Sequence, residues 1–385
     1  MLEMVRPKTG ITTGLERRTA IMSYLREKAP RYFSEFINAD VNVRLLSEVQ
    51  RPQSKIYRFQ LEANRKVRFL RVKVPRYHNA IEGQGQGGRD IDHRPRRFSV
   101  TDLETKFQLE FAALSNIRKY FEGFHDARFG TVNVLDSLAD FRGSVMEEVN
   151  NPSLRTIFVR ENRIQKLFTS AGSNEAFINA GSWLRAYHSL PLKATDRHQC
   201  RTEFIDANIK LTDYLSRTLA EAQFFQEVAS TIQTAALAVL PDSLPVGLGH
   251  GDYAMRNILV GAGSRVTVLD TLARWRTAIY EDIGYFLTNL KVAWPQVISQ
   301  GLAFKESLIK QCEKAFLSGY FDVEPVPIQA VQLYEVQALL DRWSGRVARF
   351  NQLDATRPQG TRRLRLTLEN RYYKISLRRL MQYLN

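Results

Sequence analysis

The residues whose types and spacing best suit chemistry lie between His250 and Asp270. The run His250-Gly251-Asp252-Tyr253-Ala254-Met255-Arg256-Asn257 leads into Ile258 to Val260, and Asp270 follows thirteen residues after Asn257, closing Val266 to Leu269. An Asp beside a loop His, an Asn five residues on and a second Asp behind a strand suit phosphoryl transfer. One carboxylate stands near an attacking hydroxyl, and an amide and a second carboxylate suit Mg2+. A lone Asp in this position reads equally well as a turn cap, but a turn cap does not account for Asn257 and Asp270 together.

Such a site needs elements that hold nucleotide phosphates and elements that hold the loop. Residues 14–36 carry apolar side chains at helical spacing, and predict one or two leading helices. Three strand-like runs follow, Val41 to Val49, Lys55 to Glu62 and Val67 to Val74, with Tyr57, Phe59 and Leu61 alternating with Arg58, Gln60 and Glu62. An antiparallel meander is expected. Its third strand carries Lys73 opposite Leu70, Val72 and Val74, a cation that suits phosphates and that reads, taken alone, as a solvated edge charge. The glycine run 83–88 neither precedes the Lys strand nor opens a helix, so it reads as a flexible insertion running on to Arg94-Pro95-Arg96-Arg97.

From Thr101 to Phe121, Phe107, Phe111, Leu114 and Ile117 mark an amphipathic helix with a capping-box start at Thr101-Asp102-Leu103-Glu104. Glu110 on it is the expected partner of Lys73, with Glu104 second. Thr131 to Leu135 and Gly143 to Val149 read as strands, and Asn150-Asn151-Pro152-Ser153 as the boundary to a mainly helical second half. There Trp183, Leu184, Tyr187 and His188 share one helix, with His188 read as a core histidine, and a long helical region runs from about Thr202 to Val239. Gly261-Ala262-Gly263-Ser264 reads as the turn of a hairpin.

At 385 residues, two packed lobes are expected. No apolar run approaches a membrane span, the first thirty residues lack the core of a secretory signal, and Cys200 and Cys312 form neither a disulfide framework nor a metal spacing, so a cytoplasmic setting is expected. The net charge of +15 favours an anionic partner. No nucleic-acid-binding module accompanies it, so nucleic acid is not the expected one.

The pattern His-Gly-Asp, four residues, Asn, then Asp270 and Tyr280-Glu281-Asp282-Ile283-Gly284 resembles the aminoglycoside phosphotransferase and choline kinase superfamily, relatives of the protein kinases. Lys73 matches its strand lysine, Glu110 its helix glutamate, Val145 to Val149 its hinge, Trp183 to His188 its aromatic-His helix and Gly319-Tyr320 its late Gly-Tyr, over roughly residues 40–345. The resemblance implies an α+β, two-lobed, protein-kinase-like fold, with an antiparallel sheet lobe at residues 1–149 and a larger helical lobe at 150–341, and the charge run after it reads as a basic helical extension at 342–385. It implies ATP and Mg2+ as cofactors. Asp252 would face the acceptor hydroxyl as base or orienter, Asn257 and Asp270 would ligate Mg2+, and His250 would brace the catalytic loop. Lys73, held by Glu110, would neutralise phosphates, while Met146, Glu147 and Val149 would meet the nucleotide. Asp282 would anchor the loop through backbone amides.

Two departures bear on nucleotide binding: Arg51-Pro52-Gln53-Ser54 has no glycine, leaving Ser54 to compensate, and Arg71 stands where the adenine face is met, offering a guanidinium to stack on the base. Arg256, Arg274 and Arg276 flank the catalytic motif, which favours a neutral or anionic acceptor, such as a sugar, a sugar phosphate or a glycan end, over a cationic aminoglycoside. An antibiotic kinase and a nucleotide-binding pseudokinase or scaffold are the alternatives. Between Arg342 and Asn385, eleven basic residues face two acidic ones. Leu364, Leu368, Ile375, Leu377, Leu380 and Leu384, after the Arg357-Pro358-Gln359-Gly360 turn, read either as a basic face for an anionic membrane or glycolipid or as a helix packed on the second lobe.

Overall fold

The computed structural model describes residues 14–51, 54–75, 103–164, 171–191, 194–196, 200–271, 273, 275–353 and 360–384. The glycine run 83–88, Arg94 to Arg97, Thr101-Asp102, Pro52-Gln53, Arg274 and Arg357 to Gln359 lie outside the described residues. The elements in chain order are α1 (Gly14–Tyr32), β1 (Asn42–Gln50), β2 (Ser54–Ala63), β3 (Lys66–Pro75), α2 (Leu103–Phe124), β4 (Phe129–Gly130), β5 (Val134–Leu138), β6 (Gly143–Glu147), α3 (Leu154–Ile164), α4 (Ala171–His188), β7 (Thr195–Asp196) and α5 (Arg201–Leu219). They continue with α6 (Ala222–Val239), β8 (Val246–Leu248), β9 (Ile258–Val260), β10 (Val266–Val268), β11 (Trp275–Ala278), α7 (Tyr280–Lys291), α8 (Trp294–Ile298), α9 (Glu306–Phe321), α10 (Ile328–Leu353) and α11 (Gly360–Met381). The chain divides into two compact units, the second holding Phe124–Gly130 and Asn151–Asn385. The fold is α+β: an antiparallel sheet in the first unit and a mainly helical second unit.

The first unit is built on the sheet β1-β2-β3-β6-β5, with every neighbour antiparallel. Tyr57, Phe59 and Leu61 of β2 and Leu70 and Val72 of β3 are fully buried in one core with Ile21 and Leu25 of α1. Each such side chain contributes roughly 1.5–3 kcal/mol of burial, which is why the alternation fixes the register. Lys73 and Arg71 therefore emerge on the other face. The strand expected at Thr131 to Leu135 begins later, at Val134, and carries an irregularity between Val134 and Asp136. There Tyr24 and Tyr32 both donate to one Asp136 oxygen, at 2.8 and 2.7 Å, fastening α1 to the sheet edge.

In the second unit, the long helical region is two helices. The chain turns at Ala220, whose φ of 54° is left-handed, and α5 and α6 then pack side by side. Nor does a segment boundary fall at residue 342, because Ile328–Leu353 is one helix. Arg342 lies inside it, donating to Asn289 at 2.6 Å and to the Tyr373 hydroxyl at 3.2 Å. The tail helix α11 packs with α8 and α10. Its buried side is Tyr372, Tyr373, Leu377 and Met381, whereas Leu364 is exposed, so of the six expected apolar positions only Leu377 is fully buried.

Candidate active site

The hairpin β9–β10 explains the thirteen-residue spacing. Val260 pairs with Val266 and Ile258 with Val268, and the Leu269 amide then donates to the Asn257 carbonyl at 2.8 Å. One more residue on stands Asp270, so the ladder itself brings Asn257 and Asp270 to the same open end of the hairpin. Asp270 has a φ of 62°, a left-handed conformation that Asp tolerates better than most residues. Behind it Thr271 is buried and shares a 2.5 Å hydrogen bond with the Tyr187 hydroxyl.

The loop from His250 to Asn257 hangs from α7. The Asp282 carboxylate, almost fully buried, accepts the His250 amide at 2.6 Å and the Gly251 amide at 2.8 Å. Gly251 has a φ of 82°, which lets two successive amides converge on one carboxylate. His188 Nε2 lies 3.3 Å from the same carboxylate, and its Nδ1 lies 2.7 Å from the Tyr320 hydroxyl. The carboxylate can only accept, so Nε2 carries the hydrogen and Nδ1 accepts from Tyr320. His188 is thus a buried structural histidine joining α4, α7 and α9.

His250 is fixed in the same way. Its Nε2 faces the Leu269 carbonyl at 3.1 Å, which can only accept, and its Nδ1 accepts the Asp252 amide at 3.3 Å. The ring is therefore neutral, and burial lowers its affinity for a proton further, although Asp282, Asp252 and Asp270 pull the other way. It sits among Trp183, Tyr187 and Tyr253, with Trp183 stacked on both tyrosines at 5.1 and 5.9 Å between ring centres. The ring joins the loop to the segment before Asp270.

Asp252 has three donors. Oδ1 accepts the Tyr285 hydroxyl at 2.7 Å and the Arg256 guanidinium, and Oδ2 accepts Asn257 Nδ2 at 3.0 Å. Burial, then the Asp252 charge, raises the Tyr285 phenol above its ordinary range. Because Asn257 directs its amide hydrogens to Asp252, its Oδ1 is the atom left for a cation. Sequence reasoning missed Tyr285 and the aromatic cage. Tyr285 falls one turn after Asp282 on α7, a spacing that becomes informative only once Asp282 is known to face the loop.

In the first unit, Lys73 on β3 forms an ion pair with Glu110 on α2, both largely buried. Arg71 and Arg58 converge on Glu148, at 2.6 and 2.7 Å, and its side chain is 2% exposed. Burial would raise the Glu148 carboxyl, but the two guanidiniums outweigh it and hold the carboxyl below its usual range. This clamp was not foreseen, because it depends on the register that sets Arg71 beside Arg58 on one side and Met146 on the other. Ser54 is buried at the start of β2 opposite Pro75. Met146 and Glu147 lie in or at the end of β6, Glu147 accepting from Asn133 at 3.0 Å, and Val149 is half-buried just beyond. The structure thus brings together His250, Asp252, Asn257 and Asp270 in one unit, and Lys73 with Glu110 in the other. Arg276, on β11, is in register with Leu248, two residues before His250.

Residues 164–303 match the model of the phosphotransferase enzyme family, APH. That segment contains His250, Asp252, Asn257, Asp270 and Asp282, and the resemblance read from the motif is borne out there. The family matched by that segment is one of phosphotransferases. Among solved structures it is similar to spectinomycin phosphotransferase APH(9)-Ia in complex with ADP and spectinomycin, at 14% identity and a TM-score of 0.48, covering 91% of this chain and 93% of that one. It is also similar to aminoglycoside phosphotransferase APH(4)-Ia (13%, 0.48, 93% and 98%) and to an ethanolamine kinase of Plasmodium vivax (9%, 0.48, 99% and 93%). No curated protein sequence matches it. Among the described residues no helix is long and apolar enough to cross a membrane.

Proposed function

We propose that this chain transfers the γ-phosphate of ATP to a hydroxyl of a small neutral or anionic acceptor, such as a sugar, a sugar phosphate or a glycan end. The observation that carries the acceptor reading is the cationic neighbour of Asp252: Arg256 is paired with its carboxylate, where a polycationic aminoglycoside would meet repulsion. Asp252 is the orienting base for the acceptor hydroxyl. Lys73, kept in place by Glu110, neutralises nucleotide phosphates, and Arg71, held by Glu148, presents its guanidinium to the base.

The donor set fits Mg2+. Asn257 Oδ1 and the Asp270 carboxylate are hard oxygen ligands, and Mg2+ characteristically takes one or two protein ligands and completes its shell with phosphates and water. When bound there, the ion would supply charge neutralisation at the transferring phosphate. His250 and Asp282 keep Asp252 and the Asn257–Asp270 pair in register and touch no reactant.

The test is ATP consumption against a panel of sugars, sugar phosphates and aminoglycosides. Asp252→Asn and Asp270→Ala should each lower turnover by roughly 10²–10⁴-fold, the usual range for removing a positioned base or charge stabiliser. Unchanged turnover in either variant overturns the mechanism. Phosphorylation of kanamycin-like compounds well above sugars overturns the acceptor class.

A further inference from the structure

Arg256 occupies the group that the proposed reaction needs free. It lies in the tight turn Met255–Asn257, whose outer residues are buried and whose closure by the Asn257 amide on the Ala254 carbonyl, at 2.8 Å, turns Arg256 outward. Four residues back, Asp252 takes its guanidinium on Oδ1, the oxygen that also accepts Tyr285, while Asn257 takes Oδ2. The side chains of the pair are 44% and 39% exposed. Ion pairs at that exposure are weak and exchangeable. Among the described residues Asp252 is the one carboxylate with which Arg256 pairs. A hydroxyl approaching Asp252 therefore competes with a guanidinium, which loses its partner if it yields.

We propose that Arg256 is a latch opened by the acceptor itself: an oxyanion, phosphate or carboxylate, on the molecule that carries the reacting hydroxyl draws the guanidinium away and exposes Asp252. The inference rests on the kinase reading above and narrows its acceptor class to anionic molecules. Guanidinium matches phosphate and carboxylate with two parallel hydrogen bonds, a better partner than the single half-exposed contact to Asp252. Arg276, next to the strand that enters the loop, adds to the local positive charge. The transfer is then ordinary. The acceptor oxygen bonds to the γ-phosphorus as its proton passes to Asp252, and the bond from that phosphorus to the β–γ bridging oxygen breaks, its electron pair leaving with ADP.

The experiment compares a hexose, its 6-phosphate and the corresponding uronic acid as acceptors for the wild type, Arg256→Gln and Arg256→Lys. The wild type should favour an anionic acceptor by at least about tenfold in kcat/KM, one factor of ten being about 1.4 kcal/mol. Arg256→Gln should abolish that preference in two opposite ways, losing the anionic acceptor and gaining on the neutral one because Asp252 is released; Arg256→Lys should keep part of it. Inorganic phosphite should activate transfer to the neutral hexose in the wild type and not in Arg256→Gln. Preference for the phosphate or for the uronate identifies the oxyanion, and either supports the latch. A wild type that prefers the neutral hexose, or an Arg256→Gln variant that loses both acceptors by the same factor, refutes it. Calorimetric binding of the hexose 6-phosphate without nucleotide separates the two levels. Arg256-dependent binding with no ATP turnover sinks the kinase reading and leaves the anion site; turnover without such binding sinks the latch and leaves the kinase.

Discussion

Gly319 to Ala tests whether the site hangs on a backbone-to-backbone helix crossing. On α9, a Cβ at Gly319 would lie 1.9 Å from the Ile178 carbonyl oxygen of α4, and one at Gly181 of α4 would lie 2.1 Å from the Phe316 carbonyl oxygen of α9. The obstructing atoms are backbone and cannot rotate aside. Reaching an ordinary C···O contact of about 3.3 Å requires the helices to part by about 1.4 Å, which also breaks the 3.0 Å bond from Ser182 to the Gly319 carbonyl. Overpacking of this kind costs about 3 kcal/mol and the lost bond about 1, against about 1 kcal/mol gained from the better helix former, a net loss of about 3 kcal/mol. Urea unfolding followed by tryptophan fluorescence reads it, because Trp183 lies one turn from the crossing. Gly123→Ala on α2 is the opposite-sign control: its Cβ meets nothing within 4 Å, so it should stabilise by a few tenths of a kcal/mol or more. A Gly319→Ala loss below about 1 kcal/mol refutes the argument. Gly181→Ala combined with Gly319→Ala should cost less than the sum, since helices already parted admit the second methyl.

Asp282→Asn replaces one acceptor oxygen with a donor facing either the His250 or the Gly251 amide, leaving a buried N–H without its charged partner. Losing one such bond and stranding its donor should cost about 3 kcal/mol or more and lower phosphate transfer with it; a variant of native stability and rate would show that the loop does not depend on this anchor. A pH effect is expected at Glu335, wholly buried on α10, which takes Lys291 on one oxygen at 2.7 Å and has no partner on the other. Burial, opposed by Lys291, pushes its carboxyl up to about 7. The folded value lies above the unfolded one, so the stability it contributes is present below about pH 4.5 and is lost as pH rises to about 7. The melting temperature of Glu335→Gln relative to wild type should therefore be higher at pH 8 than at pH 5, and a difference independent of pH would refute the shift.

What the sequence made legible follows from how local each feature is. The three β-strands of the meander and the β9–β10 hairpin rest on alternation and turn residues within a few positions, and both form as expected. The break at Ala220 carries neither Gly nor Pro, so nothing local marks it; it becomes visible only when α5 and α6 pack antiparallel over a shared apolar face. The boundary expected at residue 342 failed for a related reason. Arg342 and Arg346 looked like the start of a basic tail, but Asn289, Tyr373 and Glu369 receive them within the folded unit. In α11 the leucine spacing misled because the face is set by Tyr372 and Tyr373, whose hydroxyls reach the Lys291 carbonyl and Arg342. Tyr285 and Glu148 were invisible at the site because their roles depend on partners 33 and 77 or more residues away.

The same contrast refines the reading of charge. A net +15 suggested an anionic partner without locating it, yet many of the cations near functional positions are already matched by buried carboxylates. Glu148 holds Arg58 and Arg71, Glu110 holds Lys73, and Glu335 holds Lys291. Among the described residues, Arg371, Arg378 and Arg379 are exposed on α11, a helix whose apolar side is already packed. Long-range attraction by that surface is screened within about 8 Å at physiological salt. Under the proposed reaction, selectivity would come from a cation that touches Asp252, and in the loop from His250 to Asn257 that residue is Arg256.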